Sequence, residues 1–125
     1  MNDSTMSATP RPILDFDRVE EATGGDHEFM RELVDLFLED ATDRIRELEA
    51  AVSAKDTEQL GKCAHKLKGS SANVGADHMS QLAKTLEDTA RRAELEGARE
   101  LIERLHQQLT EVGPRFERYL ASQRD

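Results

Sequence analysis

The sequence predicts an all-α fold, an antiparallel up-down four-helix bundle with a short N-terminal helix covering one end. Three observations lead there. Apolar residues recur at spacings of three and four through four long stretches, as on one face of a helix. Leu, Ala, Glu and Arg dominate the composition, which favours helix over sheet. Short connections join the stretches, so successive helices run antiparallel. Nothing reads as a strand. The apolar stripes are wider than a strict coiled-coil seam, which favours a monomer over a coiled-coil dimer.

The chain of 125 residues makes one domain with a single core. Residues 1–12 are polar and carry Pro10 and Pro12, so a disordered tail is expected there and the bundle over 13–121. A formal net charge of −9 argues against nucleic acid and against an anionic membrane as partners. Cys63 is the sole cysteine, so no disulfide forms within the chain, which suits a reducing cytoplasm. Its place on an apolar face makes it a small core residue rather than a nucleophile. No apolar run approaches the length of a membrane span, and the N-terminus lacks the charged-then-apolar pattern of a secretory signal. A cytoplasmic location is expected.

Taken in order, Asp15-Phe16-Asp17 can cap a short helix holding Val19 and Ala22, ended by Gly24-Gly25. Asp26 caps the next helix, with Phe29, Met30, Leu33, Phe37, Ala41, Ile45, Leu48 and Val52 inward and Glu32, Asp35, Glu39 and Asp43 outward. That helix is about 27 residues, near 40 Å long at 1.5 Å per residue. After a tight connection, Asp56 with Gln59 resembles a capping box for a helix over 57–74, and Gly75 supplies its left-handed stop. Asp77 caps the fourth helix, with Met79, Leu82, Ala83, Leu86 and Ala90 inward. A loop over 92–96 and Gly97 precede the last helix, with Ala98, Leu101, Ile102, Leu105, Leu109, Val112, Phe116 and Leu120 inward. Gly113-Pro114 should kink or split that helix. Tyr119 reads as a residue packing at the end of the bundle.

The helix over 57–74 organises the chain. On its wheel Leu60, Cys63, Ala64, Leu67, Ser71 and Val74 share the core face, and His65 stands roughly 150° from the centre of that face. His65 is therefore expected in solvent. Its ridge neighbours are Gly61, Gly69 and Ala72. A mid-helix glycine costs about 1 kcal/mol against alanine, so two of them beside one ring ask for a reason. A bare ridge lets something large approach the imidazole. Lys68, three residues on, can pair with an anion carried by the ring. The spacing points to a histidine that carries a negative group and presents it to a protein. The bland alternative is a surface histidine, with glycines for close helix packing and lysines on a solvated face.

The run His65-Lys66-Leu67-Lys68-Gly69-Ser70-Ser71-Ala72-Asn73-Val74-Gly75-Ala76 resembles the signature of the histidine phosphotransfer (HPt) family, and the flanking helices extend the resemblance over roughly residues 13–121. The resemblance implies that His65 accepts a phosphoryl group on Nε2 from a receiver-domain aspartate and passes it to another receiver in a multistep phosphorelay. It implies that Lys68 offsets phosphate charge and that Gly69 keeps room for the docking partner. Some members carry a glutamate at the place of Glu87, twenty-two residues after His65, where it accepts from Nδ1 and leaves Nε2 reactive; others carry glutamine. The alternative for Glu87 is an exposed glutamate paired with Lys84 or Arg91. Gly61, Gly69, Ser70 and Ala72 are the candidate docking residues, together with exposed residues of the first helices. Receiver domains of hybrid histidine kinases and response regulators are the implied partners, and they would supply the magnesium. No cofactor of the chain's own is expected.

No glycine-rich phosphate loop or ATP-binding module is present, so a stoichiometric carrier is expected rather than a kinase. A rival from another class is a helical adaptor that binds a signalling partner without phosphoryl transfer; His65, Lys68 and Gly69 weigh against it. A metal-binding bundle would need inward Glu-x-x-His pairs on two helices; His78 has no glutamate three residues before it, and Glu103, three before His106, makes a single pair that lies off the inward stripe of its helix. His27, His78 and His106 read as scattered surface residues.

Overall fold

The computed structural model describes residues 13–123. Five helices and no strand lie among the described residues: α1 Phe16–Thr23, α2 His27–Ser53, α3 Thr57–Asn73, α4 Asp77–Arg91 and α5 Leu95–Ser122. The four long helices close a ring in which α2 packs on α3, α3 on α4, α4 on α5 and α5 on α2. The tail expected over 1–12 lies outside the described residues. No helix among the described residues is long and apolar enough to cross a membrane.

The expected caps start α1 to α3. Asp15 accepts from the backbone N–H of Asp17 and Arg18, Asp26 from those of Glu28 and Phe29, and Asp56 from that of Gln59. Each satisfies N–H groups that the first turn leaves without helical partners. Gly24 (φ +68°) and Gly75 (φ +75°) take the left-handed conformation expected after α1 and α3. Gly75 is constrained further. Its carbonyl accepts from Asp15 N–H at 2.7 Å, and a Cβ there would lie 2.7 Å from Asp15 Cβ.

That contact seats α1 over the end of the bundle. Arg18 Nη1 donates to the Ala72 carbonyl at 3.0 Å and to Asp77 Oδ1 at 3.3 Å. Phe16 stacks on Tyr119 with ring centroids 4.2 Å apart, and the Tyr119 hydroxyl donates to Glu20. Asp77 is therefore the first residue of α4 and a partner of Arg18, not a side-chain cap; Ala76 holds the cap position without a side-chain bond. Ala22 faces solvent, and Thr23 takes the inward place, four residues after Val19, with its hydroxyl on the Val19 carbonyl at 2.8 Å.

The core runs the length of the ring. Ile45, Leu48, Leu60, Leu67, Met79, Leu86, Leu105 and Phe116 are fully buried, each contributing about 1.5–3 kcal/mol relative to exposure. Three expectations shift. In α2, Val34 and Ala51 are buried while Phe29 is 48% exposed, because the core-facing stripe at that end centres on Met30, Val34 and Phe37. Helix α5 begins at Leu95, ahead of Gly97, since Ala93 (φ +59°) makes the turn itself. Helix α5 also runs unbroken through Gly113-Pro114. The residue before a proline usually leaves the helix because its Cβ meets the proline ring, and Gly113 has no Cβ.

Cys63 is buried in the core, its thiol donating to the Arg44 carbonyl at 3.3 Å and Glu47 Oε1 at 3.4 Å. Burial, followed by the Glu47 carboxylate, pushes this thiol up to about 12. It stays protonated at neutral pH and is not a nucleophile.

Candidate functional site: an exposed histidine on a carboxylate

Burial of Leu60, Cys63, Ala64, Leu67 and Ser71 fixes the rotation of α3 about its axis. His65 is thereby turned outward, with 64% of its side chain exposed. Helix α4 is set the same way by Met79, Leu82, Ala83, Leu86 and Ala90, which brings Glu87 up beside α3. The Ser80 hydroxyl donates to the Lys68 carbonyl at 3.1 Å and ties the register of the two helices.

The result is a three-residue arrangement. His65 Nδ1 lies 2.9 Å from Glu87 Oε2, and Lys68 Nζ lies 3.1 Å from Glu87 Oε1. Burial alone would raise the Glu87 carboxyl. Hydrogen bonds from Lys68 and His65, with the charges behind them, outweigh it and hold the carboxyl below its ordinary 4.5. An ionised carboxylate can only accept, so Nδ1 must be the donor. In the neutral ring the lone pair then sits on Nε2, which has no hydrogen-bond partner among the described residues.

This coupling has a consequence for stability. A depressed carboxyl contributes stability that is fully present above its unfolded pKa and is lost as pH falls through the folded one. Below about pH 4.5, a Glu87→Gln variant should therefore lose less stability per pH unit than the wild-type chain. Urea midpoints measured from neutral pH down to the acid limb check this; parallel acid limbs would contradict it.

The other expected residues are distributed less simply. A Cβ on Gly69 would meet nothing within 4 Å, so the ridge one turn after His65 is open. Gly61 is half-buried, and its Cβ would touch Ala90 Cβ at 3.7 Å, so it serves the α3–α4 packing as well as the ridge. The Ser70 hydroxyl is spent on its own helix, on the Leu67 carbonyl at 3.2 Å. Ala72 is half-buried, and its carbonyl holds Arg18. Lys68 is tied to the carboxylate rather than standing free.

The alternative expected for Glu87, a pairing with Arg91, is present beside the contacts to His65 and Lys68. Arg91 Nη2 comes within 4.0 Å of Glu87 Oε2, the oxygen that faces the ring. The spacing of four places the two side chains together, whereas Lys84 pairs with Asp88 instead. Arg91 borders an open hollow of about 440 Å³ beside the ring, with Gly61, Lys62, His65 and Lys66. On the other flank of α3, Leu33, Leu36, Phe37, Ser70, Asn73 and Val74 line a second hollow of about 430 Å³. Leu36 is 64% exposed there, at the rim of the hollow. Among the described residues no group of three or more His, Cys, Asp or Glu could hold a metal ion.

The family model for the Hpt domain matches residues 32–113, more than half of the chain. The chain belongs to the Hpt domain family. Among solved structures, this Hpt domain is similar to histidine-containing phosphotransfer protein B of Pseudomonas aeruginosa PAO1, at 34% identity and a TM-score of 0.80 over 90% of this chain and 98% of that one. It is 35% identical over 74 residues to multistep phosphorelay regulator 1 of Schizosaccharomyces pombe, covering 58% of this chain and 25% of that protein. It is 28% identical over 104 residues to phosphorelay intermediate protein rdeA of Dictyostelium discoideum, covering 83% of this chain and 41% of that protein. The Hpt domain thus spans less than half the length of either curated relative.

Proposed function

We propose that this Hpt domain is a histidine-containing phosphotransfer protein of a multistep phosphorelay. The observation that carries the reading is the exposed His65 ring, with Nδ1 on Glu87 at 2.9 Å and Nε2 free on an open ridge. The Nε2 lone pair attacks the phosphorus of a receiver's aspartyl phosphate. The P–N bond forms, the acyl P–O bond breaks, and its electron pair returns to the aspartate carboxylate. The ring becomes positive and keeps its Nδ1 proton, which Glu87 holds. The carboxylate offsets the charge that develops, and Lys68 fixes the carboxylate in place. Arg91 lies near enough to meet the incoming phosphoryl oxygens. The reverse steps on a second receiver's aspartate return His65 to its starting state.

The protein is on this reading a stoichiometric carrier rather than an enzyme, acting as a monomer in the cytoplasm. It has no cofactor of its own, and the receiver holds the magnesium. Receiver domains dock over Gly69 and onto the apolar flank at exposed Leu36, which Leu33 and Phe37 back from within the bundle. Incubation with a phosphorylated receiver and magnesium should label the wild-type chain and leave His65→Gln unlabelled, the label being acid-labile and alkali-stable. Label on His65→Gln would overturn the assignment. An unlabelled wild-type chain against a full set of receivers from its organism would instead support an adaptor.

A further inference from the structure

The face around His65 is charged oppositely to the rest of the protein. Lys62, Lys66, Lys68, Lys84 and Arg91 stand about it on α3 and α4. The carboxylates among them are Glu58, which pairs with Lys62 at 3.6 Å, Glu87, and Asp88, which pairs with Lys84 at 3.6 Å and Arg91 at 3.2 Å. Five cations against three carboxylates leave an excess of two positive charges, on a chain whose net charge is −9. The neighbouring outer face of α2 is acidic, with Glu32, Asp35, Glu39 and Asp43 all exposed. Lys66 has no ion pair among the described residues. Exposed pairs such as these add little to stability, so the collar is not explained as a stabilising device.

A phosphoryl group on a side chain brings roughly −1.5 to −2 charges at neutral pH, and the ring that keeps its Nδ1 proton gains one positive charge, so loading changes the face by about −1. That is about half of the excess. We infer that the collar steers the unloaded protein onto an acidic receiver face bearing a phosphoryl group, and that loading His65 halves the collar's excess charge and weakens the steering. The inference rests on the phosphotransfer reading above. Steering acts on the encounter, so it speeds loading and leaves the transfer step within the complex unchanged. The loaded protein, its collar halved, is steered less strongly onto the next acidic receiver and also leaves the first one more readily.

The test is rapid-quench kinetics with a receiver domain phosphorylated from acetyl phosphate, run in both directions between about 20 and about 300 mM salt, a range over which screening shortens from tens of ångströms to a few. The second-order rate of loading should fall about tenfold, and the rate of unloading from phosphorylated His65 by only about threefold. The triple variant Lys62→Gln, Lys66→Gln, Lys84→Gln should flatten the loading slope while its transfer rate at saturating receiver matches wild type. Equal salt slopes in the two directions, or a triple variant with the wild-type slope, would overturn the inference. No label on His65 at any salt would overturn the phosphotransfer reading and the inference with it.

Discussion

Leucine in place of Gly69 should slow phosphoryl transfer by about 100-fold and leave the fold intact. The site is in the interior of α3, where a Cβ meets nothing within 4 Å. Leucine is the better helix former by about 0.7–1 kcal/mol, so the melting temperature should hold or rise slightly. The cost falls on approach. Residue 69 is one turn from His65 on the same ridge, and the phosphorus must come to about 3–3.5 Å from Nε2 in line with its lone pair. A branched side chain standing there holds the receiver back, and a displacement of about 1 Å costs on the order of 100-fold. Gly69→Ala adds only a methyl group and should transfer within a few-fold of wild type. Transfer rates beside thermal melts of the three proteins check this. Wild-type transfer by Gly69→Leu would show that the receiver docks elsewhere.

Alanine in place of Gly75 should destabilise the protein by about 3 kcal/mol. Two causes add. A left-handed backbone costs a residue with a Cβ about 1–2 kcal/mol. The new methyl would also lie 2.7 Å from Asp15 Cβ and 2.9 Å from the Asp15 carbonyl oxygen, so the start of α1 must move and its N–H bond to Gly75 is strained or lost. For a domain of this size the melting temperature should drop by roughly 10 °C. Gly24→Ala separates the two causes. Its φ is +68°, but nothing lies within 4 Å of the added Cβ, so only the backbone cost of about 1–2 kcal/mol should appear. Calorimetric melts of both variants decide the point; equal losses would mean that the seat of α1 carries no stability.

Features that depend on one helix were legible before the structure. The outward turn of His65 follows from the apolar positions of its own helix, and the ends at Gly24 and Gly75 from local backbone chemistry. The pairing of His65 with Glu87 was reachable only through resemblance, because the contact depends on the offset between α3 and α4. That offset is set by packing and by the Ser80–Lys68 bond, which no periodicity encodes. The same reason hid Arg18 on the Ala72 carbonyl and Gly61 against Ala90. Phe29 was expected inward and Val34 was left off the core face, because a wide apolar stripe does not say which of its edges meets the core. At Gly113-Pro114 the kink usual for proline does not form, because the glycine before it has no Cβ to meet the proline ring.

The most direct measurement is nitrogen and phosphorus NMR on protein with 15N-labelled histidines, after loading by a phosphorylated receiver. The chain holds four histidines, and their rings separate the possibilities. Phosphorus coupled to Nε2 of His65 alone, with Nδ1 still protonated, is the result expected if Glu87 holds that proton through the transfer. Phosphorus on Nδ1 of His65, or on His27, His78 or His106, would contradict the account at its centre.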